Sequence, residues 1–339
     1  MLKFLVMLSV AALSAIVLFA RMQQQPPPET PALFEVKDIT LAFPSPPAEI
    51  TEDVLPPPTP QAATMPAPAK PDSGSAPAES APPKQVPTAH VQPLPSPLAL
   101  DPTPLLSDQE FYGRFAAAAV QIYCRTSKEI FAASGVMVNA RGLVLTNAHV
   151  AEIAESAGEK NCQARHGNPA ESFAGIEVVF TADTSAKITD TEVPERDFAF
   201  LRLVESREPF AFAAIDFAPA REGESFLTLG YPSEFLQGVN AEANANLVFS
   251  VLTVAGFSDL DDDRATVEAY VFRGGLALQQ GSSGTAIFRR SGGVAGLVFA
   301  TTKGVTTADR DGVALTVPYM ERIMRLETGE GLAEFITSH

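Results

Sequence analysis

Gln280-Gly281-Ser282-Ser283-Gly284-Thr285 sets a serine between glycines, after the apolar run Tyr270-Val271-Phe272 and directly before the strand-like Ala286-Ile287-Phe288. A serine hydroxyl is a poor nucleophile at neutral pH. It needs a base to accept its proton and N–H donors aimed at the oxyanion that forms. Glycine flanks suit that geometry: lacking a Cβ, Gly281 can turn its N–H inward beside that of Ser283, and Gly284 lets the chain pass close behind a reacting carbonyl. Gly/Ser clusters also mark plain turns, so this stretch alone does not separate a nucleophile from a turn.

Partners upstream narrow the reading. Ser134-Gly135-Val136-Met137-Val138-Asn139-Ala140-Arg141-Gly142-Leu143-Val144-Leu145-Thr146-Asn147-Ala148-His149-Val150 reads as two β runs joined by a turn at Asn139 to Gly142, delivering His149 just beyond the second run. Further on, Arg196-Asp197-Phe198-Ala199-Phe200-Leu201-Arg202-Leu203 puts one carboxylate at the mouth of another strand. Taken singly, His149 also reads as a satisfied histidine at a strand end and Asp197 as a capping carboxylate. Of the other histidines, His90 lies in a proline-rich tract, His339 ends the sequence and His166 has no comparable motif around it.

With TNAHV, RDFAFLRL and GSSGT in the order His, Asp, Ser, the chain resembles the trypsin-like (chymotrypsin-fold) serine peptidases, most closely the bacterial HtrA/Deg-type branch, over roughly residues 112–325. The resemblance implies an all-β fold of two six-stranded-type barrel lobes with a C-terminal helix. It implies His149 as general base and acid, Asp197 as the group that fixes its tautomer, Ser283 as nucleophile, and an oxyanion hole from the N–H groups of Gly281 and Ser283. It also pairs Cys124 with Cys162, the only two cysteines, in a disulfide worth about 4 kcal/mol on the loop-entropy account. The pocket for the residue before the scissile bond falls to Ala277, Leu278, Phe299 and Ala300. Relatives that cut after Arg or Lys carry an aspartate where Ala277 stands, so cleavage after small or medium apolar residues is expected, a buried unpaired cation being costly. The sequence departs from the family at Ser282, where zymogen-type relatives have an aspartate, and at Thr285, where a second glycine is usual. No PDZ module is expected after the closing helix.

The 339 residues carry 24 Lys+Arg against 40 Asp+Glu, a formal charge of −16, which argues against nucleic acid and anionic headgroups as partners. Phe4 to Ala20 is uncharged and mostly apolar, with Lys3 before it and Arg21 after it. Leu18 stands where a cleavage site prefers a small residue, so residues 1–21 read as an uncleaved signal anchor with the rest of the chain outside the cytoplasm; cleavage would make the protein secreted. Residues 22–107 hold 23 of the 29 prolines and read as an extended, polyproline-rich linker, with a more apolar patch from Leu33 to Phe43 that reads as a harmless local cluster, docking on another surface being the alternative.

Residues 108–339 are enough for one two-lobed domain. Strands are expected over 120–124, 135–138, 143–146, 176–180 and 198–204 in the first lobe. In the second they are expected over 226–230, 247–254, 266–272, 286–288, 294–299 and 313–317, with a helix over 319–326. No metal constellation or cofactor motif is found; Asp259-Leu260-Asp261-Asp262-Asp263 could suggest calcium, but without a defined ligand loop it reads first as a solvated acidic turn. The reading is a membrane-tethered extracytoplasmic serine endopeptidase acting on protein or peptide substrates. The competing one is a catalytically silent peptidase-fold domain that binds extended peptides on a stalk. Composition leaves the oligomeric state open.

Overall fold

A computed structural model of the protein describes residues 39–41, 105–126, 129–188, 191–206, 209–233, 245–261, 266–275, 279, 281–302 and 310–339. Residues 31–46 and 99–339 form one compact unit; residues 1–30 and 47–98, which make up a second, lie outside the described residues, and with them the apolar segment Phe4 to Ala20. Among the described residues no helix is long and apolar enough to cross a membrane.

The strands in chain order are β1 (Ile39–Leu41), β2 (Ala119–Arg125), β3 (Ile130–Met137), β4 (Leu143–Thr146), β5 (Cys162–Gly167), β6 (Ala170–Thr181), β7 (Ala199–Val204), β8 (Ser225–Gly230), β9 (Val248–Ser258), β10 (Ala269–Arg273), β11 (Ala286–Phe288), β12 (Val294–Thr302) and β13 (Asp311–Thr316). The helices are α1 (Asp108–Phe115), α2 (Ala148–Ala157), α3 (Val317–Thr328) and α4 (Leu332–Ser338). Six strands close the first barrel in the order β2-β3-β4-β7-β6-β5. In the second, β12-β11-β8-β9-β10-β13 is closed by pairing of β12 with β13, and β1 adds a seventh strand to β12. The two antiparallel barrels expected from the sequence are present.

Period-2 alternation builds both cores. Along β7, Ala199, Leu201 and Leu203 enter the interior of the first barrel, while Phe200, like Phe198 before the strand, joins a core that includes residues of both barrels, such as Leu229, Phe288 and Phe299. Phe226, Tyr270, Phe272 and Ile287 fill the second barrel. Each fully buried Leu or Phe contributes about 1.5–3 kcal/mol. Cys124 and Cys162 face each other across β2 and β5 and form a disulfide that ties these neighbouring strands of the first barrel.

Several elements differ from expectation, β1 and α1 among them. The segment that begins at Ala148 is a helix, so His149 sits in its first turn rather than at a strand end. β5 was not foreseen, and the C-terminal helix is longer than expected and is followed by α4. α3 starts with Thr316 accepting from the Tyr319 N–H at 3.2 Å and stops at Gly329 in a left-handed conformation. α4 packs Phe335 on Phe180 and Phe200 and accepts from the Asn139 side-chain amide at the Ile336 carbonyl, 2.8 Å, binding the C-terminus to the turn before β4.

Candidate active site

β4 ends at Thr146, and one residue later the chain starts α2 with Asn147 as its N-cap. The Asn147 side chain does not cap the helix. Its Nδ2 donates to the Asp197 carbonyl at 2.8 Å, and the Asp197 carboxylate caps instead, Oδ1 accepting from the His149 backbone N–H at 3.0 Å. The other oxygen, Oδ2, lies 2.6 Å from His149 Nδ1. Asp197 is fully buried and His149 nearly so. The two readings of Asp197, helix cap and histidine partner, are thus one arrangement. A helix N-terminus favours the buried negative charge, and the imidazole takes its second oxygen.

Ser283 belongs to the second barrel, on a loop that packs against Ser134 and against Thr146, three residues before His149. Its loop is shaped by Gly281 (φ +85°) and Gly284 (φ +80°), conformations that a residue with a Cβ adopts only under strain. A Cβ on Gly284 would fall 2.0 Å from the Ser134 carbonyl oxygen and 2.4 Å from Thr146 Oγ1, so the loop lies directly against the middle of β3 and the end of β4. Ser282 N–H donates to the Gln279 carbonyl at 3.0 Å, Thr285 N–H to the Ser282 carbonyl at 2.8 Å and Gly284 N–H to the Val298 carbonyl at 3.0 Å. Among the described residues no backbone acceptor is paired with the N–H of Gly281 or of Ser283. The Ser283 hydroxyl is buried and makes no hydrogen bond among the described residues.

Ser134 is a positioning residue that sequence reasoning missed. Its N–H donates to the Ser283 carbonyl at 2.8 Å, its hydroxyl donates to the Gly281 carbonyl at 3.3 Å and accepts from the Tyr231 N–H at 2.9 Å, and its carbonyl accepts from Thr146 Oγ1 at 2.8 Å. One buried residue on β3 thereby clamps the serine loop from both sides of Ser283. Nothing local in the sequence marks it, because every partner is distant along the chain. Thr285, the departure from the family's glycine, is fully buried opposite Gly230, where a Cβ would approach Thr285 Oγ1 to 2.2 Å. The missing side chain at 230 makes room for the extra one at 285.

Of the four residues expected to line a substrate pocket, Ala277 and Leu278 lie outside the described residues. Phe299 and Ala300 are fully buried in the core that includes residues of both barrels, a register shift in β12 between Val298 and Ala300 turning both the same way.

The acidic turn has a cationic partner. Arg322 on α3 pairs with Asp261 at 2.7 Å and with Glu268 at 3.2 Å, and Asp259, Asp261 and Glu268 cluster there; Asp262 and Asp263 lie outside the described residues. Burial pushes the Glu268 carboxyl above its ordinary value of 4.5, against its bond from Thr266. A carboxyl raised in the folded state adds stability below its unfolded value that is lost as pH climbs through the folded one. Glu268→Gln, which cannot ionise, should therefore lose less thermal stability than the parent as the pH rises from 4 to 7, read as Tm at each pH. Parallel Tm curves would show that Glu268 does not titrate in this way.

Residues 133–297 match the family model described as trypsin-like peptidase domain, a span that includes Ser134, His149, Asp197 and Ser283. The class of protein this defines, on the two-barrel fold already described, is a serine endopeptidase of the trypsin-like kind. Among solved structures the chain is similar to the Rv3671c protease from M. tuberculosis in its active form, at 20% identity over 68% of this chain and 92% of that one, with a TM-score of 0.44. It is also similar to a serine endoprotease from Yersinia pestis (20% identity, 65% and 67% covered, TM-score 0.45) and to the HtrA-type protease AlgW with a decapeptide (17%, 66% and 69%, 0.43). No curated protein matches the chain by sequence.

Proposed function

We propose that the protein hydrolyses peptide bonds through Ser283, His149 and Asp197, and that a membrane anchor at residues 1–21 and the proline-rich linker hold the domain outside the cytoplasm. The observation that carries the chemistry is the buried His149–Asp197 pair, 2.6 Å apart, together with a serine whose loop, shaped by two left-handed glycines, packs against the end of the strand that leads to His149. With Nδ1 facing the carboxylate, the imidazole presents Nε2 as the base for the Ser283 hydroxyl. The Ser283 oxygen attacks the scissile carbonyl, and the Gly281 and Ser283 N–H groups receive the oxyanion. His149 then returns the proton to the leaving amine, and water repeats the sequence on the acyl-enzyme. The substrate class is protein or peptide, cut after apolar residues on the strength of Ala277. No cofactor enters these steps.

The test is a fluorophosphonate probe applied to the full-length protein. The expected result is one covalent adduct on the peptide containing Ser283, lost in Ser283→Ala and in His149→Ala. An unlabelled parent that is folded by circular dichroism would favour the catalytically silent, peptide-binding reading.

A further inference from the structure

The second barrel closes with six strands, yet its sheet has seven. The extra one, β1, comes from the proline-rich stretch and pairs antiparallel with the end of β12, Ile39 opposite Thr302, Thr40 opposite Thr301 and Leu41 opposite Ala300. β13 already pairs with Ala300 and Thr301, so β1 occupies the other edge of β12. Nearer the N-terminus of β12 that other edge belongs to β11, through Leu297, and then to the serine loop: Val298 N–H donates to the Thr285 carbonyl at 2.9 Å, and its carbonyl accepts from Gly284. Past Val298 the chain bearing Ser283 has turned away, and the edge it leaves is the one β1 takes.

This edge borders the nucleophile, two residues from the pair of bonds that fixes the Ser283 loop, and an extended peptide reaching Ser283 along β12 would pair with it. β1 has the polarity such a peptide needs, its C-terminal residue Leu41 being the one nearest Val298. Its sequence is suited to a ladder: residues 32–43 are the longest proline-free run between 22 and 107, with β-branched Ile39 and Thr40 in the paired segment. We propose that Ile39–Leu41 is an intramolecular inhibitory strand that holds the peptide-binding edge of β12 at Ala300–Thr302 and must leave before a substrate can pair there. The proposal rests on the peptidase reading above. A covalently linked segment faces its site at an effective concentration of roughly millimolar, so three paired residues suffice to compete with a peptide in solution.

The test compares the full-length parent with the full-length Thr40→Pro/Leu41→Pro variant. Adjacent prolines remove the N–H that faces β12 whichever of the two it is. Three measurements are made on both: amide hydrogen exchange at Ala300 to Thr302, fluorophosphonate labelling, and hydrolysis of an apolar peptide substrate. The expected result is faster exchange at these amides in the variant, KM lowered roughly three- to tenfold with kcat unchanged, and KM restored by adding a synthetic peptide of residues 36–43. Unchanged exchange would show that β1 does not hold the edge and would overturn the proposal. Faster exchange with the same KM in two proteins that both label would overturn the inhibitory role alone. If neither protein labels while exchange still separates them, the peptidase reading falls and the inhibitory role falls with it.

Discussion

Ser283→Ala is expected to lower kcat on the order of a millionfold while leaving the domain folded. The loss is this large because the remaining groups cannot substitute for the nucleophile: His149 has no serine hydroxyl to deprotonate, and the N–H groups at 281 and 283 act only on the oxyanion of a slow direct attack by water. What remains is roughly the 10^3- to 10^4-fold over water that an oxyanion hole and binding supply together. Stability should be nearly unaffected, since the Ser283 hydroxyl makes no hydrogen bond among the described residues, so its removal strands no buried partner. The backbone bond from Ser134 to the Ser283 carbonyl does not involve the side chain and persists. The measurements are single-turnover hydrolysis of an apolar peptide and Tm by calorimetry. A kcat within tenfold of the parent would remove Ser283 from the chemistry. A large fall in Tm would mean that the activity loss reports the fold.

Where the sequence could be read correctly, local signals sufficed. β4 and β11 came out with the residues expected because each is a short apolar run closed on both sides by turn residues: Asn139 to Gly142 before β4, and the Gly284 corner before β11. The Cys124–Cys162 pair is a different case: the family resemblance implied it, no local signal did, and the strand register aligns it. Local signals failed where the deciding partner is remote. β5 was missed because Arg165 breaks its apolar pattern, yet that guanidinium is buried, stacked 5.0 Å from the Tyr123 ring centroid and bonded to Gln121 at 2.9 Å and to the Ala170 carbonyl. α2 was missed because its small buried residues, Ala148, Ala151 and Ala154, give a weak helical stripe, and the carboxylate that caps it arrives from the loop before β7. β1 is three residues long and owes its conformation to an open edge of β12, which no pattern around Ile39 announces. Ser134 belongs with these: its function as a clamp exists only after the two barrels have met.

Asp197→Asn is expected to cost about 10^4-fold in kcat while the His149 ring stays in place. The two oxygens of Asp197 have different partners, and that fixes how asparagine must sit. Oδ1 accepts from the His149 backbone N–H at 3.0 Å, and a backbone amide only donates, so the asparagine carbonyl oxygen has to take this position. The side-chain NH2 is then left facing His149 Nδ1, where the carboxylate oxygen was at 2.6 Å. Two donors cannot share that contact, so Nδ1 must give up its hydrogen and accept. The neutral ring then carries its hydrogen on Nε2, the atom that should take the proton of Ser283, and the base is blocked by its own tautomer. The opposite rotamer would keep the working tautomer but set NH2 against the His149 N–H in a fully buried site, leaving that helix N-terminal donor unsatisfied at a cost of about 1–3 kcal/mol. The measurements are kcat, fluorophosphonate labelling rate and the nitrogen chemical shifts of the His149 ring in protein labelled at histidine. The expected outcome is slow labelling with Nε2 protonated in the variant and Nδ1 protonated in the parent. A variant that keeps Nδ1 protonated, or whose kcat falls less than tenfold, would show that Asp197 does not set the tautomer.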